Sequence, residues 1–228
     1  MLFRQLFDKE TSTYTYLLAD QMTGEAVIID AVDAQLERDI QLIHELGLRL
    51  SYAFDTHVHA DHITASAAMR ERSGCTTGVS KHAHVPCADL QLAEGDQCSI
   101  GRHLITVLET PGHTDGCLSF CCESRVMTGD ALLIRGCGRT DFQQGDAGTL
   151  YDSIANKLFT LPDDTLVYPA HDYKGMSCST IGEEKRWNPR LTLARDEFIS
   201  FMNSLDLVEP KQIHVAVPAN LACGKSAG

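Results

Sequence analysis

Seven consecutive residues, Thr56-His57-Val58-His59-Ala60-Asp61-His62, carry three imidazoles and a carboxylate, and this cluster limits what the chain can fold into more than any other stretch. Both donor types suit zinc, iron or manganese. Residues 48–54, just before it, are mostly apolar and bounded by Gly47 and Asp55, so they read as a strand. Residues 63–73 carry small, helix-compatible side chains and stop at Gly74. The cluster is therefore expected on a loop that leaves a strand and feeds a helix, which is how α/β folds build a site. A merely solvated polar loop would not need three histidines at this spacing.

The arrangement recurs along the chain. Residues 13–19 and 25–30 are strand-like and joined by a turn containing Asp20 and Gly24, which predicts an opening hairpin. Asp33 can cap a helix with Leu36, Ile40, Ile43 and Leu46 on one face. Residues 76–80 and 104–108 read as short strands, the second running into Pro111-Gly112-His113, a turn that presents the imidazole outward. Strands at 118–122 and 125–128 lead to Gly129-Asp130, and one at 165–168 ends in Pro169-Ala170-His171-Asp172. Leu150, Ile154, Leu158 and Phe159 mark a helix, and 191–202 is helical in character. Such alternation predicts one α/β domain over 1–228, with two sheets or one folded sheet covered by helices and the site along one edge.

A formal net charge of −12 repels phosphate backbones and argues against a nucleic-acid partner. No apolar run approaches the ~18 residues of a membrane span. The first residues lack the apolar core and cleavage site of a secretory signal, so a cytoplasmic location is expected. Nine cysteines, an odd count without a CxxC pair, argue against a disulfide framework, and most are expected as buried thiols.

The strand-end donors are His57, His59, Asp61, His62, His113, Asp130 and His171, too many for one ion. Either two metals share a carboxylate, or one is bound and the other groups surround it. On these residues the chain resembles the metallo-β-lactamase superfamily, whose THxHxDH signature is met at 56–62 and whose later ligands match His113, Asp130 and His171. The resemblance implies an αββα sandwich of two mixed β-sheets flanked by helices. Within the superfamily the chain is similar to persulfide dioxygenases of the ethylmalonic encephalopathy protein type. That likeness is carried by GDALLIRGCGRTDFQQG at 129–145, YPAHDY at 168–173 and NPRLTL at 188–193. Glyoxalase II enzymes share the seven donors and GCGR, but continue differently and carry a further C-terminal helical region.

The resemblance implies one Fe(II) per chain on His57, His113 and Asp130, a two-histidine, one-carboxylate triad with three open positions. His59, Asp61, His62 and His171 then act catalytically around the metal. The implied reaction oxidises glutathione persulfide with O2 and water to sulfite and glutathione, and the implied assembly is a homodimer. Glutathione carries two carboxylates, so cations are required at the mouth, and Arg139, Arg190 and Tyr173 are the candidates. Arg139 could equally pair with Asp141 and shape its loop, and Arg190 could be an ordinary surface residue. His44, His82, His84, His103 and His214 fall outside these loops. Competing readings are a dinuclear hydrolase of glutathione thioesters, with the same ligands, and a metal-dependent sensor or scaffold.

Overall fold

Tyr14, Tyr16 and Leu18 alternate with Leu17 and Ala19, and both sets are buried, so this strand must have packing partners on both faces. The computed structural model, which describes residues 1–225, supplies them. The strand is β2 (Thr13–Ala19) of a six-stranded sheet in which β1 (Leu2–Asp8), β2, β3 (Glu25–Ile29), β4 (Arg49–Phe54), β5 (Thr76–Ser80) and β6 (Leu90–Leu92) lie in sequence order. Pairing is antiparallel from β1 to β3 and parallel from β3 to β6. The second sheet follows with β7 (Gln97–Ile100), β8 (His103–Glu109), β9 (Leu118–Cys122), β10 (Arg125–Gly129), β11 (Leu166–Pro169) and β12 (Ser179–Thr180), also in sequence order. All its pairs are antiparallel except β10 with β11.

The sheets meet through Tyr14, Tyr16, Leu18, Val27 and Phe54 on one side and Ile105, Val107, Phe120 and Met127 on the other. Phe54 stacks on Phe120 with centroids 5.3 Å apart. Helices α1 (Leu36–Glu45) and α2 (Ser66–Ser73) cover the outer face of the first sheet through Ile43 and Met69. Helices α3 (Ala147–Asn156), α4 (Ile181–Trp187) and α5 (Arg195–Asn203) cover the second through Leu150, Ile154, Ile181 and Phe198. The αββα sandwich is thus observed. Among the described residues no helix is long and apolar enough to cross a membrane.

Several features differ from the expectations. β1 pairs along its whole length with β2, making the opening a three-stranded meander. The helix after the histidine cluster begins at Ser66 rather than Ile63, because residues 63–65 bond sideways: Ile63 O accepts from Asp33 N–H, and Ala65 N–H donates to Ala31 O. A further helix, α6 (Ile213–Leu221), packs near Val58, Ala67 and Val79, its Val217 against their cluster. Finally, Cys87 and Cys223 form a disulfide. These two depart from the buried thiols expected of most cysteines, because the partners lie 136 residues apart and only folding brings α6 beside the segment after β5. The remaining seven cysteines are free, five of them buried.

Candidate metal centre

The donors gather where β4, β8, β10 and β11 end. β4 delivers the cluster from Thr56 to His62, β8 runs into the turn bearing His113, β10 stops at Gly129 before Asp130, and β11 stops at Pro169 before His171. One donor atom each from His57, His113 and Asp130 lies within 4.8 Å of the others, and so does one each from His59, Asp61 and His62. His171 bridges the two groups, its Nε2 3.6 Å from Asp61 and 3.8 Å from Asp130.

Each imidazole is aimed by its second nitrogen, which fixes the tautomer as well as the ring. His57 Nδ1 donates to Thr56 Oγ1 at 3.0 Å, and Thr56 donates in turn to Asp30 from Oγ1 and N. His59 Nε2 donates to the same Asp30 at 3.1 Å. His113 Nδ1 donates to the carbonyl of Arg139 at 2.6 Å, His62 Nδ1 to Asp61 at 2.8 Å and His171 Nδ1 to Ser12 O at 3.2 Å. What remains is telling: His59 Nδ1, His62 Nε2 and Asp130 Oδ1 are buried with no protein partner. Orphaned buried donors of these types fit a metal ion.

Electrostatics point the same way. Burial, reinforced by neighbouring imidazoles, pushes His57 and His59 well below the ordinary histidine range, keeping them neutral and able to ligate. Burial opposes ionisation of Asp61, but His171 and His62 outweigh it and hold the carboxyl well below its usual value. Asp130 is likewise lowered against its burial, by His171, His113 and His57. His171 rises to about 10, because Asp130 and Asp61 overcome the burial that would keep it neutral. Behind the donors, burial drives Asp30 up to about 6, with Thr56 resisting, and burial plus the Asp30 charge drives Asp55 to about 7.

The segment after Asp130 builds the wall of the site. A side chain at Gly138 would place its Cβ 2.3 Å from the Asp130 carbonyl and 2.9 Å from the His113 ring, so only glycine admits both ligands. Gln143 donates from Nε2 to Val58 O at 2.8 Å, tying this segment to the histidine loop. Arg139 turns out to be a brace. Its guanidinium forms a bidentate pair with Asp141 at 2.7 Å, donates to Leu207 O and Val208 O, and lies over the Phe142 ring. Four of its N–H groups are committed, which corrects the expectation of a free carboxylate-binding cation. Arg190 differs: half-buried, it donates to Cys137 O at 3.0 Å and has no carboxylate partner among the described residues. Tyr173 is largely exposed, its ring parallel to that of His171. All three line an open cavity of about 670 Å³ that also reaches His57, His113, Asp130 and His171. Lys174 and Lys211 line it too.

Sequence reasoning did not single out Asp30, Asp55 or Asn220. Asp30 carried a usable signal, since it follows a strand as the recognised donors do.

Residues 8–171 match the metallo-β-lactamase superfamily. The chain is 52% identical over 227 residues to the mouse (Mus musculus) protein named persulfide dioxygenase ETHE1, mitochondrial, covering 98% of this chain and 89% of that one. The crystal structure of ETHE1 from Myxococcus xanthus superimposes with a TM-score of 0.96 at 56% identity, covering 98% of this chain and all of that one. A hydroxyacylglutathione hydrolase of Rhizobium meliloti is 35% identical over 173 residues, 74% of this chain and 65% of its own length.

Proposed function

The chain belongs to the metallo-β-lactamase superfamily, and from that premise we infer that it is a persulfide dioxygenase that oxidises glutathione persulfide with O2 and water to sulfite and glutathione. The observation that carries this reading is the likeness to persulfide dioxygenases over nearly the whole of both chains, where the hydrolase likeness covers about three quarters of this chain. One Fe(II) is assigned to His57, His113 and Asp130. Bound there, iron would supply adjacent positions for the persulfide sulfur and for O2.

The chain's own residues do the rest. His171 holds a proton at Nε2 beside Asp61 and Asp130, where it can be given up to a reacting group. Asp61 and His62, bonded to each other, keep their orientation relative to that proton. The cavity falls within the roughly 300–1,000 Å³ of small-molecule sites, and Leu133, Ile134 and Val208 give it apolar wall. Arg190, Lys174 and Lys211 concentrate positive charge at its surface in a chain of net charge −12, which suits a substrate with two carboxylates. Arg190→Ala is expected to raise KM for glutathione persulfide roughly 10- to 100-fold, the loss of one charge-assisted pair, with kcat nearly unchanged. An unchanged KM in initial-rate measurements removes Arg190 from the substrate site.

His59, Asp61 and His62 form a second donor group, which favours counting metals rather than assuming one. Protein purified anaerobically is assayed for iron and zinc per chain, for O2 uptake with glutathione persulfide, and for hydrolysis of a glutathione thioester. One iron with O2 uptake is expected. Two zincs with thioester turnover and no O2 uptake sinks the dioxygenase reading.

A further inference from the structure

The histidine loop has no helix or sheet to hold its backbone, so its carbonyls need partners from elsewhere. Val58 O has Gln143, and Ile63 O has Asp33. The carbonyls of His59 and His62 both accept from the side-chain amide of Asn220 at 2.8 Å, and the Asn220 Oδ1 accepts the Thr64 N–H at 2.9 Å. Both Asn220 donors are used, and the side chain is 4% exposed. One amide thus closes the backbone from His59 to Thr64 into a fixed arch. The arch contains His59, Asp61 and His62 and begins two residues after His57.

Asn220 stands near the end of α6, more than 150 residues away in sequence from every group it binds. Its seat is secured. Cys223 is bonded to Cys87, and Gly224 (φ +82°) passes so close to Thr64 that a Cβ there would fall 2.1 Å from the Thr64 carbonyl. Asn220 and Cys223 also line a small cavity of about 20 Å³, room for one water, together with His57, His59 and Asp55. No other described side chain ties both the His59 and the His62 carbonyl.

We propose that Asn220 is a positioning residue of the metal centre: through three hydrogen bonds from α6 it sets the backbone that carries His59, Asp61 and His62 beside the ligand His57. The proposal rests on the assignment of the metal to this site. Losing such a partner costs roughly 10- to 100-fold in metal affinity.

The test titrates metal-free full-length protein with Co(II), reading affinity by calorimetry and ligand geometry from the visible absorption bands. Asn220→Ala is expected to weaken Co(II) binding roughly 10- to 100-fold and to shift the bands, lowering kcat while KM for persulfide stays within twofold of wild type. Asn220→Asp keeps the shape and the acceptor for Thr64 but faces two carbonyls with a carboxylate, so it is expected to behave like the alanine variant. It also carries the test if Asn220→Ala does not fold. Folded variants with wild-type Co(II) affinity and spectrum overturn the proposal, even if their thermal stability falls. A wild-type protein that binds Co(II) but, loaded with iron, consumes no O2 with persulfide sinks the dioxygenase reading instead and leaves the Asn220 result standing.

Discussion

Asp130→Ala is expected to abolish metal loading, with persulfide-dependent O2 uptake falling by more than the roughly 10- to 100-fold that loss of an outer partner costs. Among the described residues Asp130 is the only carboxylate grouped with His57 and His113, and its Oδ1 is buried without a protein partner. Without Asp130 the site loses its one carboxylate ligand and attracts a dication more weakly. Stability provides a second reading by mass action. Free metal at about 1,000 times its dissociation constant stabilises the wild type by about 4 kcal/mol, roughly 8–16 °C in Tm for a chain of this size. The variant should show none of that rise. A variant that still takes up one iron and gains the same Tm moves the metal to His59, Asp61 and His62.

Reduction of the Cys87–Cys223 bond is expected to lower stability by about 2–4 kcal/mol, because it frees a loop of 136 residues in the unfolded chain. Cys87 is half-buried and within reach of a reductant. Thermal melts with and without a phosphine reductant should differ by roughly 4–16 °C, and Cys87→Ser should melt near the reduced wild type and ignore the reductant. Identical melts in both conditions, with free thiols counted at both positions, exclude the bond in solution.

The centre was legible in sequence wherever chemistry and local pattern coincided. His57, His113, Asp130 and His171 each follow an apolar strand, so the period-two signal located the loops and the side chains named the donors. β2, β5 and β9 fall at the expected residues, and turn formers bound β2 and β9 on both sides. α4 was missed although Thr180 and Glu183 stand at cap spacing, where Thr180 Oγ1 accepts the Glu183 N–H. α6 was missed for a physical reason: Pro218 lies inside it, and its residues are small and apolar without an amphipathic face. Its absence from the expectations concealed both Asn220 and the disulfide. The pairing of Arg139 with Asp141 was readable from a spacing of two. Its capture of the 207–208 carbonyls was not, since loops that meet only in the tertiary fold leave no local trace.

The disulfide closes a covalent ring from residue 87 to residue 223 that contains every strand of the second sheet, the proposed ligands His113 and Asp130, and His171. A protease that nicks one exposed peptide bond anywhere inside this ring therefore releases nothing. The two pieces migrate as one species until the bond is reduced, so a fragment pattern that appears only on reducing gels would map which surface loops open first.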